Sequence, residues 1–202
     1  MIFKRKIYDE LLRWKRTDEG RTAVLIQGAR RVGKSTVAEE FATNEYDTHI
    51  LVDFAACSSE IRDLFNDVSD LNRIFMRLQL EYGIELRERK SVIIFDEVQL
   101  APKARQAIKY LVKDGRYDYI ETGSLISIRK NVKDILIPSE EVKLHMYPMD
   151  YEEFKWALGD TATINLLQGC FHNRTSLGDA TNRKLMRDFR LYMLIGGMPQ
   201  AV

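Results

Sequence analysis

The sequence predicts an α/β protein built around a parallel sheet. Three observations predict it: short apolar runs that read as fully buried strands, helical stripes between them, and a glycine-rich turn joining the first strand to the next helix. Ile7, Leu11 and Trp14 share one helical face ahead of the polar stretch KRTDEGR. AVLIQ (23–27) is a short strand of the kind parallel sheets bury on both faces. Val37, Ala38, Phe41 and Ala42 stripe the following helix, and HILVDF (49–54) is the second strand. Residues 60–82 carry a helical pattern broken near Ser69. SVIIFDE (91–97) is a third strand with charge only at its C-terminal end, and Ala104, Ala107, Ile108, Leu111 and Val112 mark the helix after it. YDYIETGS (117–124) and EVKLHMYP (141–148) are the fourth and fifth strands.

After Pro148 the pattern turns helical. Asp150 and Glu153 have capping-box spacing and open the helix YEEFKWAL. Residues 159–182 read as a polar, glycine-punctuated stretch with one short apolar patch, and a last helix spans roughly 182–195 before Gly196-Gly197 and Pro199. The expected division is a core over 1–149 and a helical segment over 150–202.

Composition excludes several classes. The 31 basic and 30 acidic side chains leave a net charge of +1, so no global field favours nucleic acid or an anionic membrane, although nucleic acid is not excluded. The basic start, MIFKRKIYDELLRW, lacks the unbroken apolar segment of a signal peptide, and no run approaches a membrane span. Cys57 and Cys170 lie far apart without CxxC spacing, and His49, His145 and His172 are scattered, so neither a disulfide framework nor a zinc site is implied. A reducing, cytoplasmic location is the expectation.

Gly28-Ala-Arg-Arg-Val-Gly33-Lys34-Ser35 matches G-x-x-x-x-G-K-[ST], with a strand before it and a helix after. Such glycines let successive backbone N–H groups point at a β-phosphate that also meets a positive helix N-terminus. Lys34 reaches the β- and γ-phosphates and the Ser35 hydroxyl coordinates Mg²⁺. The nucleotide-binding set is Gly28, Arg30, Arg31, Val32, Gly33, Lys34, Ser35 and Thr36, with Lys34 expected to stand exposed without nucleotide. Arg30 and Arg31 either pair with a γ-phosphate or a neighbouring subunit, or are solvated charges at the loop tip.

VIIFDE supplies the partner site. Asp96 at the C-terminal end of a buried strand holds Mg²⁺ through water, and Glu97 orients and polarises an attacking water. A strand lies between the phosphate loop and this pair in sequence, as in P-loop proteins with an additional strand inserted between those two. Guanine specificity would call for N-K-x-D, whereas NVKD at 131–134 has the wrong order, and a small-molecule kinase rarely needs the second acid. Thr122 or Ser124, ending the candidate inserted strand, would lie between loop and acids, able to bond a γ-phosphate or the water; alternatively either hydroxyl satisfies a turn.

These residues together resemble the AAA+ family, and more narrowly a bacterial and archaeal group of ATP-binding proteins with a second, C-terminal domain of unknown function. The resemblance runs through Tyr8, Leu11, Leu12 and Trp14, GARRVGKST, IIFDEVQ, TGSL, YPMDYEEF and GGMPQAV. It implies a P-loop NTPase, three layers α/β/α with a parallel sheet of order 5-1-4-3-2, and a helical C-terminal segment. It also implies binding of ATP and Mg²⁺, Glu97 as base, and a polar sensor at Thr122 or Ser124. Relatives carry Gly-Arg before the Y-P motif where this chain reads DILIPSEEVKL, so an arginine finger does not transfer, and Arg129 is a positional candidate only. Relatives also continue past GGMP into the second domain, so the resemblance implies a truncated chain.

Two readings follow. One is an ATPase whose Mg²⁺-dependent hydrolysis drives a conformational change, acting with a protein partner or as a homo-oligomer and without a membrane. The other is an ATP-sensing interaction module with negligible turnover; a DNA-associated ATPase is a further alternative.

Overall fold

The computed structural model describes residues 3–124 and 140–202. The chain divides into two compact units, Ile7–Met146 and a second formed by Tyr147–Val202 with Met1–Lys6.

The first unit carries a five-stranded sheet: β1 (Ala23–Gly28), β2 (Thr48–Asp53), β3 (Ser91–Asp96), β4 (Asp118–Ser124) and β5 (Glu141–Met146). Their order is β2-β3-β4-β1-β5 and every pairing is parallel, which is 5-1-4-3-2 read from the other edge. Strand β4 therefore lies between the glycine-loop strand and the acidic strand, as expected. β3 and β4 are buried along their whole length, and β3 accordingly reads as a continuous rather than alternating apolar run up to Asp96.

Helices α1 (Ile7–Asp18), α2 (Lys34–Glu45), α3 (Ser59–Asp63), α4 (Leu71–Tyr82) and α5 (Pro102–Asp114) flank the sheet. Leu25, Ile93, Phe95 and Tyr119 pack with Ile74, Leu78, Ile108 and Leu111 into one core. Phe54, Phe65 and Phe95 form a ring cluster within it, with centroids 5.2–5.9 Å apart. The alternate residues Val24, Ile26, Ile94 and Ile120 are equally buried and turn to the opposite face, where α2 packs. The break expected near Ser69 is real. A 3₁₀ turn (Leu64–Asn66) ends the first helical piece, and Asp70 restarts the helix by accepting Arg73 N–H at 3.1 Å.

The second unit holds α6 (Tyr151–Ala157), α7 (Thr163–His172) and α8 (Asp179–Ile195). The capping box is present: Asp150 Oδ1 accepts Glu153 N–H at 2.9 Å, and Asp150 N–H donates to Glu153 Oε2 at 3.3 Å. Glu153 also receives Lys6 N–H at 2.7 Å and lies 3.2 Å from the Arg5 guanidinium, so one buried carboxylate gathers the N-terminal segment onto α6. Gly197 lets two chain segments meet. Its carbonyl accepts Met149 N–H at 2.7 Å, and a Cβ there would sit 2.0 Å from the Met149 oxygen.

Helix α7 lies inside the stretch 159–182 that the sequence reads as polar and glycine-punctuated with one short apolar patch. Asp160 starts it, accepting Thr163 N–H at 2.9 Å and the Thr163 hydroxyl at 2.6 Å. α7 buries no residue, and Ile164, Leu167 and Phe171, at the helical spacing i, i+3, i+7, form its short apolar patch. Among the described residues, no helix is long and apolar enough to cross a membrane.

Candidate functional site

The two glycines of the loop serve different needs. Gly33 has φ 95°, a left-handed conformation that opens α2 without a side-chain cap, so the first-turn N–H groups are left to an outside acceptor. Gly28 is required by space. A Cβ there would lie 2.1 Å from the Met146 carbonyl oxygen of the neighbouring strand. Arg31 also adopts positive φ (64°), and Val32, fully buried, anchors the turn between them. Arg30, Arg31 and Thr36 are exposed.

Lys34 corrects an expectation. It is only 5% exposed rather than standing free. Its ammonium donates to Ala29 O at 2.8 Å and Gly28 O at 3.4 Å, folding back on the loop it belongs to. The loop carbonyls satisfy an ammonium drawn out of water. Burial lowers the Lys34 pKa from its ordinary value, while the nearby carboxylates of Glu97 and then Asp96 act in the opposite direction.

The acidic pair meets the loop through hydroxyls. Ser35 Oγ donates to Asp96 Oδ1 at 2.6 Å, and Thr122 Oγ1 donates to the same oxygen. Three chain segments thus converge on one carboxylate. Thr122 is fully buried and also accepts Glu97 N–H at 3.2 Å, so its single proton is committed to Asp96. Ser124 ends β4 in register with Gly28 and is 6% exposed. The structure therefore separates the two candidate hydroxyls: Thr122 binds the acidic pair, and Ser124 flanks the start of the loop. Arg129 lies outside the described residues.

Glu97 leaves β3 in the left-handed region, at φ 52° and ψ 44°, and begins a 3₁₀ turn over Val98–Leu100. Its carbonyl accepts Leu100 N–H at 2.9 Å. Its carboxylate receives the side-chain amide of Gln99, a contact that reading the sequence had not assigned.

A second feature was not anticipated. Glu121, adjacent to Thr122, is fully buried, and among the described residues neither of its carboxylate oxygens has a hydrogen-bond partner. Arg105 Nε lies 3.9 Å away, and the same guanidinium reaches Glu141 at 3.1 Å. Burial first, then the Glu141 charge, pushes the Glu121 pKa well up, against the pull of Arg105.

The donor set fits a hard divalent cation beside a phosphate. Ser35 can keep its proton on Asp96 and turn its lone pairs to a metal, and the Asp96 carboxylate adds the negative charge such an ion prefers. The uncapped start of α2 and Lys34 supply donors for the anion.

A family model described as an AAA domain matches residues 20–155. Among solved structures, the chain is similar to the Walker-type ATPase PABY2304 of Pyrococcus abyssi, at 19% identity and a TM-score of 0.54. That match covers 98% of this chain but 65% of the archaeal one, so this chain spans less than two thirds of that relative. At this identity the likeness carries the fold alone. PCH-2 of C. elegans matches at 12% identity and a TM-score of 0.42, over 74% of this chain and 44% of that one. A chain of Drosophila ORC bound to DNA matches at 13% and 0.48, over 72% and 93%. Neither of these two supports an argument about this chain. No curated protein matches it.

Proposed function

The chain belongs to the AAA domain family, and from that premise we propose that it binds ATP with Mg²⁺ and hydrolyses it, with turnover coupled to a conformational change. The observation that carries the reading is the convergence of Ser35 and Thr122 on Asp96 Oδ1, with Glu97 next in the chain and Lys34 close by. In this reading residues 1–149 are the ATP-binding core, and 150–202 are a helical segment attached to it.

Each residue has a task its chemistry suits. The N–H groups opening α2 bind the phosphate oxygens, and Lys34 exchanges the carbonyls of Gly28 and Ala29 for them. Ser35 and Asp96 would hold Mg²⁺, which when bound neutralises charge on the β- and γ-oxygens. Thr122 orients Asp96 and pins the Glu97 backbone. Glu97 accepts the proton of an attacking water, and Ser124 stands at the loop for the γ-phosphate. Such a base contributes about 10²–10⁴-fold in rate.

The test compares phosphate release by the wild type, Glu97→Gln and Asp96→Asn, alongside ATP affinity across a magnesium series. Glu97→Gln should keep affinity and lose turnover, whereas Asp96→Asn should flatten the magnesium dependence of binding. Equal release by wild type and Glu97→Gln would overturn hydrolysis and leave a nucleotide-sensing module.

A further inference from the structure

We propose that Gln99 is a positioning residue for Glu97, holding its carboxylate in one orientation toward the phosphate loop. The inference rests on the ATPase reading above. Residues two apart in a regular helix do not face each other. Glu97 and Gln99 meet because Glu97 lies outside the helical region, at φ 52°, and this backbone brings its carboxylate within reach of the Gln99 amide.

The turn that holds this geometry is fixed at several points. Glu97 N–H is bonded to Thr122, Leu100 N–H to the Glu97 carbonyl, and Ala101 N–H to the Val98 carbonyl at 3.0 Å. Val98 is fully buried, and Pro102 then begins α5. With the backbone held, the freedom left at Glu97 is that of its side chain, and Gln99 restricts it. Gln99 is itself 5% exposed, so its amide is held in the protein rather than sampling solvent.

The residue type suits the task. A primary amide donates to a carboxylate at every pH at which the protein folds, because it does not titrate. It also adds no net charge. A lysine or arginine in its place would bind the carboxylate more strongly and blunt it as a base. Occupying one oxygen leaves the other for a water.

The experiment uses Gln99→Met, which keeps the side chain's length and removes the donor, with melting temperature as the check on folding. In nucleotide-free, ¹⁵N-labelled protein the Gln99 side-chain amide is assigned from its loss in Gln99→Met. In Glu97→Ala that amide resonance should move strongly, reporting loss of its carboxylate partner. In turnover, Gln99→Met should lower kcat roughly 10- to 100-fold, the scale of a misplaced catalytic group, with KM near the wild-type value. It should lower the residual rate no further in a Glu97→Gln background. A Gln99 amide unmoved by Glu97→Ala, a raised KM at constant kcat, or the same loss in the Glu97→Gln background would each overturn the proposal. If wild type and Glu97→Gln release phosphate equally, the ATPase reading fails instead, and the amide shift still decides whether Gln99 holds Glu97.

Discussion

Replacing Gly28 with alanine isolates the spatial demand of the loop from its conformational one. Gly28 is absent from the described residues with positive φ, so alanine meets no backbone strain there. Its Cβ, however, would lie 2.1 Å from the Met146 carbonyl oxygen and 3.1 Å from the carbonyl carbon. Both atoms are backbone, and Gly28 and Met146 are register partners at the ends of β1 and β5. The strands must therefore part. Forced overpacking costs about 1–3 kcal/mol, and each terminal ladder hydrogen bond lost adds about 1 kcal/mol. Reduced freedom of the unfolded chain returns about 0.4–1 kcal/mol. The net is a loss of about 2–4 kcal/mol, and at about 2–4 °C per kcal/mol for a chain of this size the melting temperature should fall by about 5–15 °C. Gly115→Ala is the control, with positive φ (77°) but open space around it. Its strain of about 1–2 kcal/mol should cost less. Calorimetric melts of the wild type and both variants decide the matter. A Gly28→Ala protein melting at or above the wild type would refute the steric argument.

Two further outcomes are expected. Lys34→Ala should weaken ATP binding at least about tenfold, because charge-assisted bonds of about 1.5–3 kcal/mol are lost from the complex. Its melting temperature should change little, since relief from burying the charge offsets the bonds to Gly28 and Ala29; an unchanged affinity in a calorimetric titration would contradict the loop's role. Glu121→Gln should alter the pH dependence of stability. The raised Glu121 pKa means that the folded state holds its proton where the unfolded chain has released it, so wild-type stability falls as pH rises from the ordinary carboxylate value toward the raised one. Glutamine removes that slope, and urea midpoints that fall in parallel for both proteins across acidic to alkaline buffers would count against the buried acid.

Much of the first unit was legible because it obeys two short periods. β3 is buried on both faces, and such a strand appears as an unbroken apolar run. Asp150 and Glu153 announced α6 because a capping box is written in residues three apart. Helix α7 was harder to read because Gly169 interrupts a stretch of only ten residues and its start rests on the local bonds of Asp160.

The candidate site shows where one-dimensional reading stops. Motif spacing brought Ser35 and Asp96 together across 61 residues, and they are bonded. It could not separate Thr122 from Ser124, because residues two apart on a strand face the same side and differ only in depth. Pairing register resolves them: Ser124 lies opposite Gly28, while Thr122, one rung pair earlier on β4, reaches back to β3 and Asp96. Lys34 was misjudged for a related reason. A loop lysine reads as solvated, yet a turn curled tightly enough to cradle a phosphate also brings its own carbonyls within reach of the ammonium. Gln99 was invisible because its meeting with Glu97 depends on a left-handed glutamate, and nothing in the letters D-E-V-Q signals that backbone. Such a conformation costs about 1–3 kcal/mol and persists only where its surroundings enforce it. Here the enforcement comes from Thr122, 25 residues away in sequence and on another strand.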